Sequence, residues 1–479
     1  MTGSVPRNTT TLIIVGNVMR VSNGLMLSVF AVLGVVLVAL HSPGEMSVDS
    51  VMSLYEAMTG FAAGWGPTFM SATLAWLGGS TIGTCLFVAL NCVLTYGCFV
   101  VLLTRGRCVN LPRWQVAAAF LLALNPLFMF YVGIIWKDVM LATMALVAAT
   151  LLLLAADRTG RSRFLLLGLC ILVAGMLVPI RQQGVLIAIP LAVATGWLVV
   201  NEVKPSVLGR MAAFTSCIAL VVMSAVLFNS LSAATVKPPS NGSVSVGIFT
   251  IQAYDIAGMI AGAKKGDPAA WSGASLTVQK DIHAHYSSER IDTIWQLESV
   301  RTYFNKLSAE QYMSTWANGI KHDPGAYVRS RLAAFASLLG LRSITGCVPT
   351  FWGIGALPEQ VSALGLKNGM DARARFIGHT AIRLYATPVF RNWFYAALLL
   401  LASAATVCRL RDSRRVCGVS VASAAGLYFL SFLPTTIACD FRYLYPVACL
   451  STLLCIYLLS RVQIFNGQKT HQLGKALVT

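Results

Sequence analysis

Ten stretches of about 20 mostly apolar residues run through this chain, and each is long enough to cross a lipid bilayer as a helix. They lie near 22–41, 83–104, 114–134, 138–156, 164–180, 184–201, 211–231, 389–408, 416–436 and 443–460. Only 11% of the residues are charged and 56% are apolar, whereas a soluble domain carries about 25% charged residues. The apolar blocks also differ from the alternating strands of an outer-membrane barrel. The sequence therefore predicts an all-α polytopic membrane protein.

The basic residues predict which loops face the cytoplasm. The formal net charge is +18, and in membrane proteins Lys and Arg collect in cytoplasmic loops. Arginines and lysines cluster in the loops near 105–113, 158–163, 204–210 and 409–415, whereas the first outer loop, 42–80, contains three acids and no Lys or Arg. We interpret the charge as membrane topology and not as nucleic-acid binding, with both termini in the cytoplasm.

This topology divides the chain into three parts. Residues 1–231 form a transmembrane module of seven spans, 232–388 form one large extracytoplasmic loop region, and 389–479 form three spans with a cytoplasmic tail. The stretch 331–355 is apolar but interrupted by an arginine, a glycine and a proline. A full span there would move the later arginines outside, so we predict an interfacial or re-entrant element.

The large loop region contains weaker signals. Amphipathic stretches near 292–320 and 324–342 predict helices. His283 and His285 would share a face if their segment were extended, but nothing nearby clearly supplies a third metal ligand. The region 232–388 contains a single cysteine, so we do not expect a disulfide-linked module.

The segment 252–255, Gln-Ala-Tyr-Asp, could contact a sugar, although a solvated loop is the more ordinary interpretation.

Three short outer turns carry cations that the topology does not explain. They read Trp136-Lys137-Asp138, Arg181-Gln182-Gln183-Gly184 and Asp440-Phe441-Arg442-Tyr443-Leu444-Tyr445-Pro446. Ionisable groups at a membrane boundary are costly, which makes them functional candidates. The alternative is that they are interfacial anchors or structural ion pairs, Lys137 with Asp138 and Arg442 with Asp440.

The first outer loop supplies an acid. Asp49 follows the first span and precedes Trp65 and Trp76. A carboxylate there could deprotonate an acceptor hydroxyl beside aromatic rings that pack on a sugar. The alternative is that Asp49 caps a helix through 50–59 and that the tryptophans are interfacial. With the cations, the acid suits transfer of a sugar from a lipid phosphate, which needs charge stabilisation at the leaving phosphate and a base at the incoming hydroxyl.

These motifs resemble the GT-C superfamily of integral-membrane glycosyltransferases, in particular bacterial glucosyltransferase-like members. The resemblance rests on the acid after the first span, Asn125-Pro126 near Trp136-Lys137-Asp138, the 181–184 turn, the 440–446 turn and the segment from Trp316 to Arg331. The chain departs from the pattern at Gly66 and at Gln182-Gln183, where related proteins often have histidine or His-Asn, and its first loop has no Asp-x-Asp pair.

The resemblance implies a GT-C-like bundle and a hexosyltransferase of the bacterial inner membrane. A polyprenyl-phosphate sugar would be the donor and a cell-envelope glycan, such as lipopolysaccharide, or a lipid-linked precursor the acceptor. Asp49 would be the catalytic carboxylate, and Lys137, Arg181 and Arg442 would bind the donor phosphate. The supporting residues would be Asp138, Gln182, Gln183, Asp440, Tyr443, Tyr445 and Trp65. No cofactor is required by these residues, and a divalent metal is left open.

Two other functional classes fit part of the sequence. An O-antigen polymerase or ligase also has many spans, one large outer loop and phosphate-binding arginines, but its catalytic groups would lie mostly in the late loop. A lipid or glycan flippase would show repeats and ionisable groups near the bilayer midplane, whereas here those groups lie at the ends of spans. A scaffold protein would not explain the cation-bearing turns.

Overall fold

The computed structural model describes residues 13–15, 18–20, 23–64, 66–105, 113–238, 243–263, 273–342 and 346–461. Within these ranges the protein is almost entirely helical, with one short antiparallel hairpin of β1 (Ile13–Val15) and β2 (Val18–Arg20). The prediction of an all-α protein is confirmed, apart from this hairpin.

Ten helical segments within the described residues are long and apolar enough to cross a membrane, which confirms the ten predicted spans. Their bounds are Asn23–His41, Thr81–Thr104, Trp114–Tyr131, Lys137–Ala155, Gly160–Ile180, Gln182–Val203, Val207–Thr235, Asn392–Arg409, Asp412–Thr435 and Phe441–Arg461.

The helices that contain these spans are α1 (Asn23–His41), α4 (Thr81–Arg105), α5 (Arg113–Ala123) with α6 (Pro126–Tyr131), α7 (Lys137–Ala155), α8 (Gly160–Ile180), α9 (Val185–Val203), α10 (Val207–Thr235), α19 (Asn392–Arg409), α20 (Asp412–Thr435) and α21 (Tyr445–Arg461). Short 3-10 turns, Gln182–Gly184 and Phe441–Leu444, precede α9 and α21.

Helices α7 and α21 form the centre of the bundle. Both are buried on nearly all sides, whereas α10 buries only four side chains and exposes the rest of its apolar surface. A helix that is apolar all round needs protein or lipid on every side. The central pair also positions two of the candidate cations, because α7 begins at Lys137 and the segment leading into α21 contains Arg442.

The first outer loop folds into two short helices, α2 (Val48–Thr59) and α3 (Phe69–Trp76). The helix expected through 50–59 is confirmed, but the expectation that Asp49 caps it is wrong. Ser47 is the N-cap residue, its backbone N–H donates to Ser50 Oγ at 3.1 Å, and Asp49 lies within the first turn. The Asp49 side chain is therefore available for another contact.

The loop region 232–388 contains eight described helices. They are α11 (Ser243–Gly262), α12 (Leu276–His285), α13 (Asp292–Trp295), α14 (Glu298–Lys306), α15 (Ala309–His322), α16 (Pro324–Leu339), α17 (Pro358–Ala363) and α18 (Ala372–Leu384). The amphipathic helices expected near 292–320 and 324–342 are present. A separate apolar core joins α11 to α16. Residues 331–339 belong to α16, which has 16 residues and packs against α19 and α20.

Two expectations for this region are wrong. Tyr254 and Asp255 lie buried on α11, where Tyr254 donates to Ser287 O at 2.8 Å and Asp255 pairs with Arg331, so this segment is neither a solvated loop nor open to a sugar. His283 lies on the helix α12 and not on an extended segment, so it does not share a face with the histidine two positions later.

A disulfide joins Cys347 to Cys439. We did not expect it from the sequence because its second cysteine lies 92 positions away, beyond the loop region, in the turn that leads to Arg442. The bond connects the loop region to the last outer turn.

Candidate functional site

The three cation-bearing turns and the start of α2 converge at one end of the bundle. Lys137 and Asp138 begin α7, and Arg181 lies where α8 ends. The 3-10 turn Phe441–Leu444 contains Arg442. The side chains thus lie at helix ends, where the chain leaves the apolar layer and polar groups regain access to water.

Asp49 and Arg442 form an ion pair at the mouth of this cluster. Arg442 Nη1 donates to Asp49 Oδ2 at 2.6 Å, and Arg442 Nε lies 3.3 Å from Asp440 Oδ2. The Asp49 side chain is 55% exposed and that of Arg442 only 17%. Arg442 is therefore fixed between two carboxylates, while much of Asp49 stays open. The sequence-based pairing of Arg442 with Asp440 is present, but it is only half of the arrangement.

Arg181 forms a second, deeper ion pair. Its Nη1 contacts Asp138 Oδ1, and its Nε donates to Gln183 Oε1 at 2.9 Å. Asp138 is buried. The predicted pair of Asp138 with its neighbour Lys137 is therefore not the principal contact of Asp138. Its carboxylate pairs instead with the guanidinium of Arg181, which belongs to the next outer turn. A buried carboxylate needs such a partner.

Tyr443 lies between the two arginines. The Arg181 guanidinium carbon is 5.0 Å from the centre of the Tyr443 ring, and that of Arg442 is 5.6 Å away. Phe432 stacks on the same ring with centroids 5.7 Å apart. An aromatic face attracts cations, so Tyr443 holds two like charges near each other.

Trp136 forms another wall of the cluster. Its indole N–H donates to Ser47 Oγ at 2.8 Å, and the Arg442 guanidinium carbon lies 4.8 Å from its ring centre. One tryptophan thereby connects α7, the start of α2 and the last outer turn. The sequence motif contained Trp136, but we did not assign it a role.

Lys137 is half-buried beside the first outer loop. A Cβ built on Gly66 would lie 3.6 Å from Lys137 Nζ. This is an ordinary van der Waals distance, so the first outer loop passes directly beside the Lys137 ammonium group.

The pKa of the Asp49 carboxyl lies below its ordinary value. Burial acts to raise this pKa, but the charge and hydrogen bond of Arg442 and the charges of Lys137 and Arg181 outweigh it. Asp49 is thus an ionised, accessible carboxylate that faces three cations. With Asp138 and Asp440, the cluster contains three cations and three carboxylates.

Some candidate residues lie elsewhere. Tyr445 is buried under the cluster, where its ring stacks on Tyr131 at 4.2 Å, so it packs in the core and does not line the opening. Gln182 is exposed, next to the cluster. Trp65 lies outside the described residues. Trp76 donates its indole N–H to Thr235 Oγ1 at 2.9 Å, at the end of α10.

Glu56 is a structural residue of the first outer loop that the sequence did not reveal. It is buried, and its two carboxylate oxygens accept from the backbone N–H groups of Ala63 and Gly64 and from Ser71 Oγ. These bonds fold residues 61–64 back onto α2. In the sequence, Glu56 differs from its neighbours only as an acidic residue within a mostly apolar segment.

In the described part of the chain, no group of three or more His, Cys, Asp or Glu side chains is arranged to hold a metal ion.

Comparison with known proteins gives no family assignment. No protein-family model matches the chain, and no curated protein matches it. Among solved structures, the chain is similar to ArnT from Cupriavidus metallidurans in the apo state, with 13% identity, a TM-score of 0.32, and coverage of 91% of this chain and 76% of that one. The GT-C resemblance thus stays a prediction.

Proposed function

We propose that the protein is a membrane glycosyltransferase of the GT-C type that moves a sugar from a polyprenyl-phosphate donor to a cell-envelope glycan or lipid-linked acceptor. The observation that carries the proposal is the Asp49–Arg442 pair, which places an open carboxylate against a fixed guanidinium at the end of the bundle. This is where the headgroup of a membrane-embedded lipid lies.

The cations suit the donor phosphate. Arg442, Arg181 and Lys137 all contribute positive charge at Asp49. A phosphate bound in this opening would share these cations with Asp49, Asp138 and Asp440. Arginine holds phosphate oxygens through paired N–H donors. When the bond from the anomeric carbon to the phosphate oxygen breaks, the electron pair stays on the phosphate, and nearby cations stabilise the charge that develops.

Asp49 suits the acceptor side of the reaction. Its carboxylate takes the proton of the acceptor hydroxyl while the hydroxyl oxygen bonds to the anomeric carbon. The acceptor thus loses a proton to Asp49 and gains the sugar, while the polyprenyl phosphate leaves. Arg442 keeps the carboxylate ionised and fixes its position, so that it can also orient the hydroxyl in line.

We infer that this site faces the outside of a bacterial inner membrane and that both termini face the cytoplasm. The Cys347–Cys439 disulfide lies at the same end of the bundle as the cluster, and disulfides persist in oxidising compartments such as the periplasm. The basic loops at the other end agree with this orientation.

A flippase is the second candidate. Like the transferase, it would bind a lipid phosphate through the same cations. The accessible Asp49 carboxylate favours the transferase, because it can orient and deprotonate an acceptor hydroxyl, a role that lipid transport does not require. A polymerase or ligase would place most of its catalytic groups in the loop region 232–388, whereas the Asp49–Arg442 pair joins the first outer loop to the last outer turn.

The test is transfer of labelled sugar from a panel of undecaprenyl-phosphate sugars by purified wild type and Asp49→Asn. Glu359→Gln is the matched control, because Glu359 is an exposed carboxylate of the loop region. We expect Asp49→Asn to abolish transfer without loss of thermal stability and the control to be unaffected. Full transfer by Asp49→Asn would remove the role of Asp49. Absence of transfer by wild type, with retained binding of undecaprenyl diphosphate, would favour the flippase or polymerase.

A further inference from the structure

The turn 436–440 is short and irregular, yet it determines where Arg442 points. It joins the end of α20 to the 3-10 turn Phe441–Leu444. A segment without regular hydrogen bonding keeps one geometry only if neighbouring groups hold it. The loop region supplies those groups.

Two adjacent residues of the loop region, Glu289 and Arg290, bind the backbone N–H and the carbonyl of Gly346. Glu289 Oε2 accepts from the Gly346 N–H at 2.6 Å, and Arg290 Nη1 donates to the Gly346 carbonyl at 2.6 Å. A Cβ at position 346 would lie 2.7 Å from Glu289 Oε2, so a larger residue there would displace the Glu289 carboxylate from this contact. Cys347, the next residue, is thereby held in place.

Residues 289–291 also contact the turn itself. The backbone N–H of Cys439 donates to Glu289 O at 2.7 Å, and the N–H of Ile291 donates to Ile437 O at 3.0 Å. The Cys347–Cys439 disulfide closes this connection covalently. Arg290 Nη2 lies 4.0 Å from Asp440 Oδ1, the carboxylate that also pairs with Arg442.

Arg331 holds the other end of the turn. Its Nη1 donates to Thr436 O at 2.8 Å, and its Nε pairs with Asp255 at 2.5 Å in the buried core of the loop region. The turn is thus fixed at both ends by side chains that belong to a different part of the fold.

We propose that Glu289, Arg290 and the Cys347–Cys439 disulfide are positioning elements for the Arg442–Asp49 pair. They fix the turn 436–440 so that Arg442 reaches Asp49, and the loop region acts on the site through this turn without touching the substrate. This inference rests on the proposed function for its catalytic meaning, and its structural half stands on the contacts alone.

The test compares Glu289→Ala, Glu289→Gln and the double variant Cys347→Ser/Cys439→Ser with wild type. Gln keeps an oxygen acceptor for the Gly346 N–H, so it should restore what Ala loses. Glu310→Ala and Cys408→Ser are matched controls, because Glu310 is an exposed glutamate of the same region and Cys408 an exposed free cysteine. The probe is undecaprenyl phosphate, and hydrogen–deuterium exchange reports on the backbone of 436–444.

We expect Glu289→Ala and the double cysteine variant to increase exchange in 436–444, with α7 unchanged, and to weaken undecaprenyl-phosphate binding by about tenfold, a size typical of small misplacements of a binding group. Faster exchange throughout the protein would mean general destabilisation and would overturn the proposal, as would unchanged exchange in 436–444. Normal binding despite faster local exchange would overturn the link to Arg442. If wild type itself does not bind the lipid, the proposed function fails and the exchange data alone decide the positioning role.

Discussion

Arg442 and Asp49 are 393 positions apart in the chain, yet Arg442 Nη1 donates to Asp49 Oδ2 at 2.6 Å. Asp49 belongs to the first outer loop and Arg442 to the last outer turn. The cluster between them is therefore built from distant parts of the sequence, and its charges compensate only in the folded protein.

The pH dependence of transfer should report the charge of Asp49. Its pKa is lowered because Arg442, Lys137 and Arg181 outweigh the effect of burial, so the active carboxylate form is present at neutral pH and is lost as the pH falls through this lowered pKa. Removing a cation raises the pKa. We expect Arg442→Gln to move the acid limb of the rate profile to higher pH, and Arg442→Lys to move it less, with each variant measured relative to its own maximum. An acid limb at the same pH in all three proteins would contradict this.

Removing the partner of Asp138 should destabilise the bundle. Arg181→Met leaves a buried carboxylate without its guanidinium, a change that costs about 3–5 kcal/mol when one member of a buried pair is lost. We expect a clear fall in the thermal unfolding temperature in detergent, and partial recovery when Asp138→Asn is added. The control is Arg158→Met at an exposed arginine. Equal stability of Arg181→Met and the control would show that the pair contributes little.

The ring of Tyr443, and not its hydroxyl, should matter for phosphate binding. The ring faces both guanidinium groups, and each cation–π contact contributes about 0.5–2 kcal/mol. Tyr443→Phe should keep wild-type affinity for undecaprenyl phosphate, whereas Tyr443→Leu should weaken it several-fold. Calorimetry or native mass spectrometry of the three proteins measures this. Equal weakening by Phe and Leu would assign the effect to the hydroxyl.

Glu56 should stabilise the first outer loop. Glu56→Ala leaves the N–H groups of Ala63 and Gly64 and the Ser71 hydroxyl without their acceptor, and an unsatisfied buried polar group costs about 1–3 kcal/mol. We expect a lower unfolding temperature and faster proteolysis within 60–68. Ser71→Ala removes only one of the three bonds and should have a smaller effect; a larger effect than that of Glu56→Ala would refute the assignment.

The spans were predictable because each apolar stretch has to satisfy its own backbone within the bilayer, and only a helix does so. The turns were predictable for a related reason, since Lys137, Arg181 and Arg442 interrupt apolar sequence at a boundary where charge is costly. Both signals are local, and a local signal can be read from one segment.

Pairings between segments could not be predicted in this way. Nothing near Cys347 in the sequence indicates Cys439, and nothing near Asp138 distinguishes Arg181 from the adjacent Lys137 as its partner. Tyr445 shows the same limit: it lies only two positions beyond Tyr443 in the 440–446 motif, yet its ring packs in the core and not at the opening. Which side of a turn a residue occupies depends on the packing of the central helices.

The central position of α21 has a consequence for membrane insertion. Ribosomal synthesis delivers Asp49, α7 and Arg181 to the membrane long before Arg442, and α21 is the last of the ten spans to enter. Until it does, the bundle lacks one of its two innermost helices, and Asp49 lacks the cation that fixes it. A partly inserted chain therefore has an incomplete cluster, and the Asp49–Arg442 pair can form only after the turn before α21 has reached the membrane.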